Sequence, residues 1–103
     1  MINVLEIEDK TGRKICLPKE RWTHIMAEHP ELSNKLENIK ETIRSPLSIK
    51  QSKHDDSVKY FYKYYKNRNS VGKYLLVAVK YLNGKGFIIT SFYTKDLRIW
   101  KEI

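Results

Sequence analysis

Two of the chain's three histidines stand five residues apart in the stretch RWTHIMAEHPEL, residues 21–32. Imidazole takes up and releases protons near neutral pH, so His24 and His29 are candidates for general acid and base work. Their spacing argues against a shared metal. On a helix they point about 140° apart, whereas two histidines that bind one metal from a single helix sit at i and i+4. The expectation is therefore no metal site and no cofactor. The single cysteine, Cys16, lies between Ile15 and Leu17 and reads as a buried strand residue rather than a nucleophile.

Paired proton transfer suits RNA cleavage. A base removes the proton of a 2′-hydroxyl, the oxygen attacks the adjacent phosphorus, cations stabilise the phosphorane, and an acid protonates the departing 5′-oxygen. Lys63 and Lys80 are candidates for the cations, and Thr90 and Thr94 for hydrogen-bond donors. Each histidine also has a plainer reading. His29 suits the negative end of a helix dipole, and His24 suits a partly buried place beside Trp22. His54, in KHDDS, reads as loop.

The charge distribution points to the same substrate. The net charge is +8. Residues 1–49 carry 8 basic and 8 acidic side chains, and residues 50–103 carry 12 against 4, so the whole excess sits in the second half. A one-sided basic surface fits a polyphosphate partner, and no basic amphipathic helix accompanies it that would favour a membrane. In VKYFYKYYK, residues 58–66, lysines alternate with rings: Lys59, Phe61, Lys63 and Tyr65 share one face, and Val58, Tyr60, Tyr62 and Tyr64 the other. Rings stack on bases and lysines meet phosphates, which makes Lys59, Tyr60, Tyr62, Lys66, Arg68 and Lys73 the candidate RNA-holding set. Alternatively, one tyrosine face packs on the helices while the lysines face water.

The elements that must position these groups follow from periodicity. INVLEIED and RKICLP form a hairpin around Gly12. A helix covers roughly 18–29 and ends before Pro30, because the residue preceding proline is pushed out of the helical region. A second helix runs from about 31 or 33 to Arg44, with Leu32, Leu36, Ile39 and Ile43 as its apolar stripe. LSIKQS, VKYFYKYYK, KYLLVAVKYL and FIITSFYT then read as four strands, with NGKG as a tight turn and Trp100 expected to dock on the core. The expected fold is α+β and two-layered, a single domain over 1–103: an N-terminal hairpin, two helices, then a four-stranded antiparallel sheet with one face free of helices. The N-terminal stretch lacks the pattern of a signal peptide, no apolar run approaches membrane-spanning length, and one cysteine suits a reducing compartment. A cytoplasmic location is expected.

RWTHIMAEHPEL, YFYK and YLLVAVKYL…GFIITSFYT together resemble the small phage and mobile-element proteins of the barnase–EndoU–colicin–RelE superfamily of metal-independent ribonucleases, over roughly residues 20–95. The resemblance implies helices leading into a four-stranded antiparallel sheet of RelE/barnase type, with an RNA site on the sheet and helix edge. It puts the family's helix histidine on His24 and its His-Pro-Glu on His29-Pro30-Glu31. The family's basic residues fall on Lys63 and Lys80, and its Thr-Ala-Tyr on Thr90-Ser91-Phe92. Phe92 departs from that pattern because it has no hydroxyl; Tyr93 points to the other face, and Thr94 is the better substitute. The resemblance implies a toxin-like or phage-associated endoribonuclease with an acidic protein inhibitor, an antitoxin or immunity protein. The other reading is a non-catalytic RNA- or protein-binding module on the same scaffold.

Overall fold

A computed structural model of the chain describes residues 2–68, 72–95 and 97. The N-terminal hairpin pairs β1 (Asn3–Glu8) with β2 (Lys14–Pro18). Helix α1 (Lys19–Glu28) follows, then a single 3-10 turn (Pro30–Leu32) and helix α2 (Leu36–Arg44). Four strands follow among the described residues: β3 (Ser48–Gln51), β4 (Val58–Tyr64), β5 (Tyr74–Leu82) and β6 (Lys85–Thr94). The second helix begins later than its apolar stripe suggested, because Pro30 starts a 3-10 turn that places Leu32 in the core ahead of α2. The expected docking of Trp100 lies outside the described residues.

The sheet has six strands and is mixed, where a four-stranded antiparallel one was expected. Its order is β1-β2-β6-β5-β4-β3. The expected meander of β3 to β6 is present, and the hairpin joins it through a parallel contact of two residue pairs, Ile15 with Gly86 and Cys16 with Phe87. Gly86 permits that contact. A side chain there would start 2.8 Å from Ile15 Cγ1 and 2.9 Å from Val79 Cγ1, closer than atoms pack. Over this gap the Tyr81 ring reaches the hairpin, and its hydroxyl donates to Asp9 Oδ2 at 2.9 Å. The β5–β6 turn is two residues long, Asn83 and Gly84, both at positive φ (54° and 81°), the geometry that matches the twist of paired strands.

Both helices lie on one face. α1 packs on β2 and β6, and α2 on β4 and β5. The core beneath them holds Trp22, Ile25, Ile39, Ile43, Phe61, Val77 and Ile88. The opposite face is not the open platform expected. It carries a second apolar cluster of Val58, Tyr60, Tyr62, Leu76 and Ala78, with Ile89, Phe92 and Leu97 packed against it. The alternation read in β4 holds, but the side carrying Phe61 and Tyr65 meets the helices. Cys16 is buried, as its neighbours implied.

A bulge in β6 decides which way the second half of that strand faces. Val79 pairs with Ile88 and Ala78 with Thr90, leaving Ile89 as an extra residue. Beyond it Thr90, Phe92 and Thr94 share the helix-free face, while Ser91 and Tyr93 turn toward the helices.

Candidate active site

His29 stands where α1 stops. Its backbone has left the helical region (φ −134°, ψ 75°), as Pro30 requires, while its N–H still donates to Ile25 O at 2.7 Å. Trp22, Ile25 and His29 fall at i, i+3 and i+7, so the imidazole continues the stripe that packs on the sheet. It stacks on Phe92, with ring centroids 5.2 Å apart and planes 29° apart. Glu31 holds a carboxylate oxygen 4.0 Å from His29 Nδ1. The strand register explains the meeting. Tyr62, Leu76 and Phe92 form one row across the helix-free face, and the β2 pairing ends at Phe87, so beyond it the edge of β6 meets α1 rather than a strand.

Thr90 and Thr94 flank Phe92 on the same face. Thr94 is buried, and its Oγ1, like the hydroxyl of fully buried Tyr62, has no hydrogen-bond partner. A buried hydroxyl left unpaired is costly, and such costs concentrate at functional sites. Burial also pushes the Tyr62 phenol pKa upward, so it stays protonated.

The next residue of β6 lies beneath an arginine. Tyr93 faces the helix side, and the Arg68 guanidinium lies over its ring, 3.5 Å from the centroid. Arg68 Nη1 donates to Gly72 O at 2.7 Å. Tyr65 meets Tyr93 edge-on at 6.5 Å and donates its hydroxyl to Glu41 Oε1 at 2.8 Å. Burial, reinforced by Glu41, pushes the Tyr65 pKa up to about 12. Lys73 Nζ donates to the carbonyls of Lys66 and Arg68, bracing the β4–β5 connection.

Other expected groups lie elsewhere. His24 is exposed, about 130° round α1 from the stripe that carries His29. Lys63 and Lys80 do not clamp one phosphate: they occupy opposite faces of the sheet. Lys63 pairs with Leu75 on the helix side and Lys80 with Val58 on the other, roughly 17 Å apart along the strand at about 3.4 Å per residue. Lys63 Nζ donates to Ser45 O at 3.1 Å, capping the negative end of α2. Lys80 is 2.7 Å from Asp55 Oδ2, and with the Ser57 hydroxyl and amide it holds that carboxyl far below its ordinary value. Lys59 approaches the Tyr81 ring at 5.7 Å. Tyr60 and Tyr62, with 8% and 0% of their surfaces exposed, offer no ring to a base. Of the expected set the structure gathers His29, Thr90 and Thr94 along β6, with Lys66, Arg68 and Lys73 on the connection at its end. Glu31 entered only as part of the His-Pro-Glu run, Tyr64 and Tyr65 only as members of the β4 alternation, and Lys35 not at all, because nothing in its spacing marks it. Among the described residues no three His, Cys, Asp or Glu side chains gather closely enough to share a metal ion.

The chain belongs to the phage-Barnase-EndoU-ColicinE5/D-RelE like nuclease2 family, whose model matches residues 4–103. The resemblance seen in three stretches thus extends over nearly the whole chain, and a nuclease family implies a nucleic-acid substrate. No curated protein and no solved structure gave a match.

Proposed function

We propose that this nuclease domain is an endoribonuclease that cleaves RNA through attack of the 2′-hydroxyl, with His29 as its proton-transfer group and without a metal ion. One observation carries the reading: the His29 imidazole is fixed on Phe92 beside the Glu31 carboxylate, one strand position from the Tyr93 ring that holds Arg68. A general base must be held in place by its surroundings, and a ring stacked on the sheet edge with a carboxylate at Nδ1 meets that need. His29 takes the 2′-hydroxyl proton as the 2′-oxygen–phosphorus bond forms. The phosphorus–5′-oxygen bond breaks, the 5′-oxygen takes up a proton from solvent, to which His29 returns its own, and a 2′,3′-cyclic phosphate and a 5′-hydroxyl result. Arg68 and Lys66 balance the charge on the phosphorane, and Thr90 supplies a hydroxyl from the strand. Thr94 is too deeply buried to touch substrate without movement. In this reading His24, Lys63 and Lys80 take no part in proton transfer. A toxin-like enzyme of this kind acting in the cytoplasm requires an inhibitor, and a net charge of +8 makes an acidic protein the fitting class.

Phe92 favours the other reading, a binding module without catalysis, because it leaves the site one hydroxyl short of the pattern it resembles. The two separate in one experiment. The protein is incubated with mixed-sequence RNA in EDTA, and again with the same sequence in 2′-deoxy form. Cleavage of the RNA alone, leaving 2′,3′-cyclic ends, is the expected result. Binding of both without cleavage establishes the module instead.

A further inference from the structure

We propose that the cleft between the start of α2 and the end of β4 is a nucleotide subsite, which takes the base next to the cleaved phosphate and sets base preference. The inference rests on the ribonuclease reading and deepens it. The cleft measures about 390 Å³, within the range of small-ligand sites. Lys35, just before α2, and Asn38 within it form one side, and Tyr64, Lys66, Asn67 and Arg68 the other.

Three properties single it out. The first is charge: three cations surround it, and no Asp or Glu is among the residues that line it. Two roomier clefts, each of about 520 Å³, are poorer places for a phosphate. One, beside Ile2 and Pro18, holds Glu20, and the other holds Glu6, Glu8 and Asp9. The second is a stacking surface. Tyr64 is 46% exposed, and its ring is steadied against Tyr74, with centroids 5.1 Å apart and planes tilted by 51°. An aromatic face that is both accessible and held in place is what a base stacks on. The third is readout. The carboxamides of Asn38 and Asn67 each offer donors and an acceptor, the combination that distinguishes one base edge from another.

The cleft ends at the same stretch of β6 as the catalytic corner, on the helix side of the sheet. Tyr93 also lines it, and the residue before Tyr93 carries the His29 stack. Arg68 lies where the two meet, its guanidinium fixed by the Tyr93 ring and the Gly72 carbonyl, so it marks the place of the phosphate. A base in the cleft then leaves its neighbouring phosphate at Arg68, at the end of β6 that carries the His29 stack.

The test uses 2′-O-methyl RNA oligonucleotides, which bind but cannot be cleaved, with affinity read by fluorescence anisotropy. The Lys35→Ala/Lys66→Ala variant should bind at least tenfold more weakly at low salt. Its slope of log affinity on log salt should fall by more than one, since two phosphate contacts are lost. A charge-matched control at the far end of the sheet, Lys10→Ala/Lys85→Ala, should lose less than threefold. Tyr64→Leu should lose at least threefold. Across four homopolymers the wild type should favour one base at least fivefold, and Asn38→Ala/Asn67→Ala should flatten that preference. Equal losses in the two lysine pairs, or an unaltered preference in the asparagine variant, would overturn the subsite. Tight, cleft-dependent binding by a protein that cleaves nothing refutes the ribonuclease alone, whereas cleavage with cleft-independent binding refutes the subsite alone.

Discussion

At each end of β6 an arginine lies over a tyrosine ring, yet the two ends are built for different purposes. At the start, Arg13 sits 4.0 Å from the centroid of Tyr81 and donates from Nε to the Thr11 hydroxyl. Asp9 accepts from the Thr11 amide and hydroxyl, the Arg13 amide and the Tyr81 hydroxyl. Strands flank β6 on both sides, and Gly86 removes the bulk that would keep them apart. At the finish, Arg68 lies over Tyr93, one flank is a helix end, and the hydroxyls of Tyr62 and Thr94 are buried without partners. The same cation–ring contact closes one end and leaves the other unsatisfied. A saturated cluster holds a fold together, whereas an incompletely satisfied one retains groups able to act on something else.

Substitutions at the two ends should therefore separate activity from stability. His29→Ala should lower RNA cleavage at least a hundredfold, the usual worth of a general base, while the urea midpoint moves little. A variant that still cleaves would show that the open end is not the site. Gly86→Ala should do the opposite: overpacking against Ile15 and Val79 should cost about 1–3 kcal/mol in urea denaturation, with cleavage by the folded fraction retained.

Tyr81→Phe should cost about 1–2 kcal/mol near neutral pH, because it strips one donor from a buried carboxylate. Its pH dependence sharpens the comparison. Burial works to raise the Asp9 pKa, but the bonds from Thr11, Arg13 and Tyr81 outweigh it and hold the group below the ordinary 3.8. A depressed carboxyl pKa contributes stability that is complete above 3.8 and is lost as pH falls through the folded value. The deficit of Tyr81→Phe should thus be full at neutral pH and shrink below pH 3.8, as parallel urea titrations would reveal. A constant deficit would mean that the bond does not stabilise the ionised form. The smallest effect belongs to Lys63→Ala, expected to leave cleavage within about twofold and to cost under about 1 kcal/mol, since its ammonium only caps α2. A large loss of cleavage there would move the phosphate to the helix side of the sheet.

Much of this arrangement was legible in the residues. Pro30 announced the end of α1, Asn83-Gly84 announced the β5–β6 turn, and the alternation in β4 divided its side chains correctly into two sets without showing which set meets the helices. What local pattern could not convey was pairing at a distance. The attachment of the hairpin to β6 rests on two residue pairs, and its mark, the missing side chain of Gly86, looks like part of a turn. His24 was read as the general base or acid with His29 as its possible partner, and only the sheet shows that the side of α1 it covers carries His29. Lys63 and Lys80 were paired by charge and by the resemblance, and charge carries no information about which face of a sheet a side chain occupies. The open basic and aromatic face failed for the same reason, because Tyr60 and Tyr62 were valued for their rings before anything showed what packs over them.

The extra residue at Ile89 has a consequence for how such a corner changes over generations. It sets the parity of everything downstream in its strand: from Thr90 onward, odd and even positions trade sides relative to an unbroken ladder. Both contacts that define the corner, Phe92 under the imidazole and Tyr93 under the guanidinium, depend on that one offset. Point substitution can retune the groups standing there, but a single-codon insertion or deletion just upstream exchanges their places at a stroke.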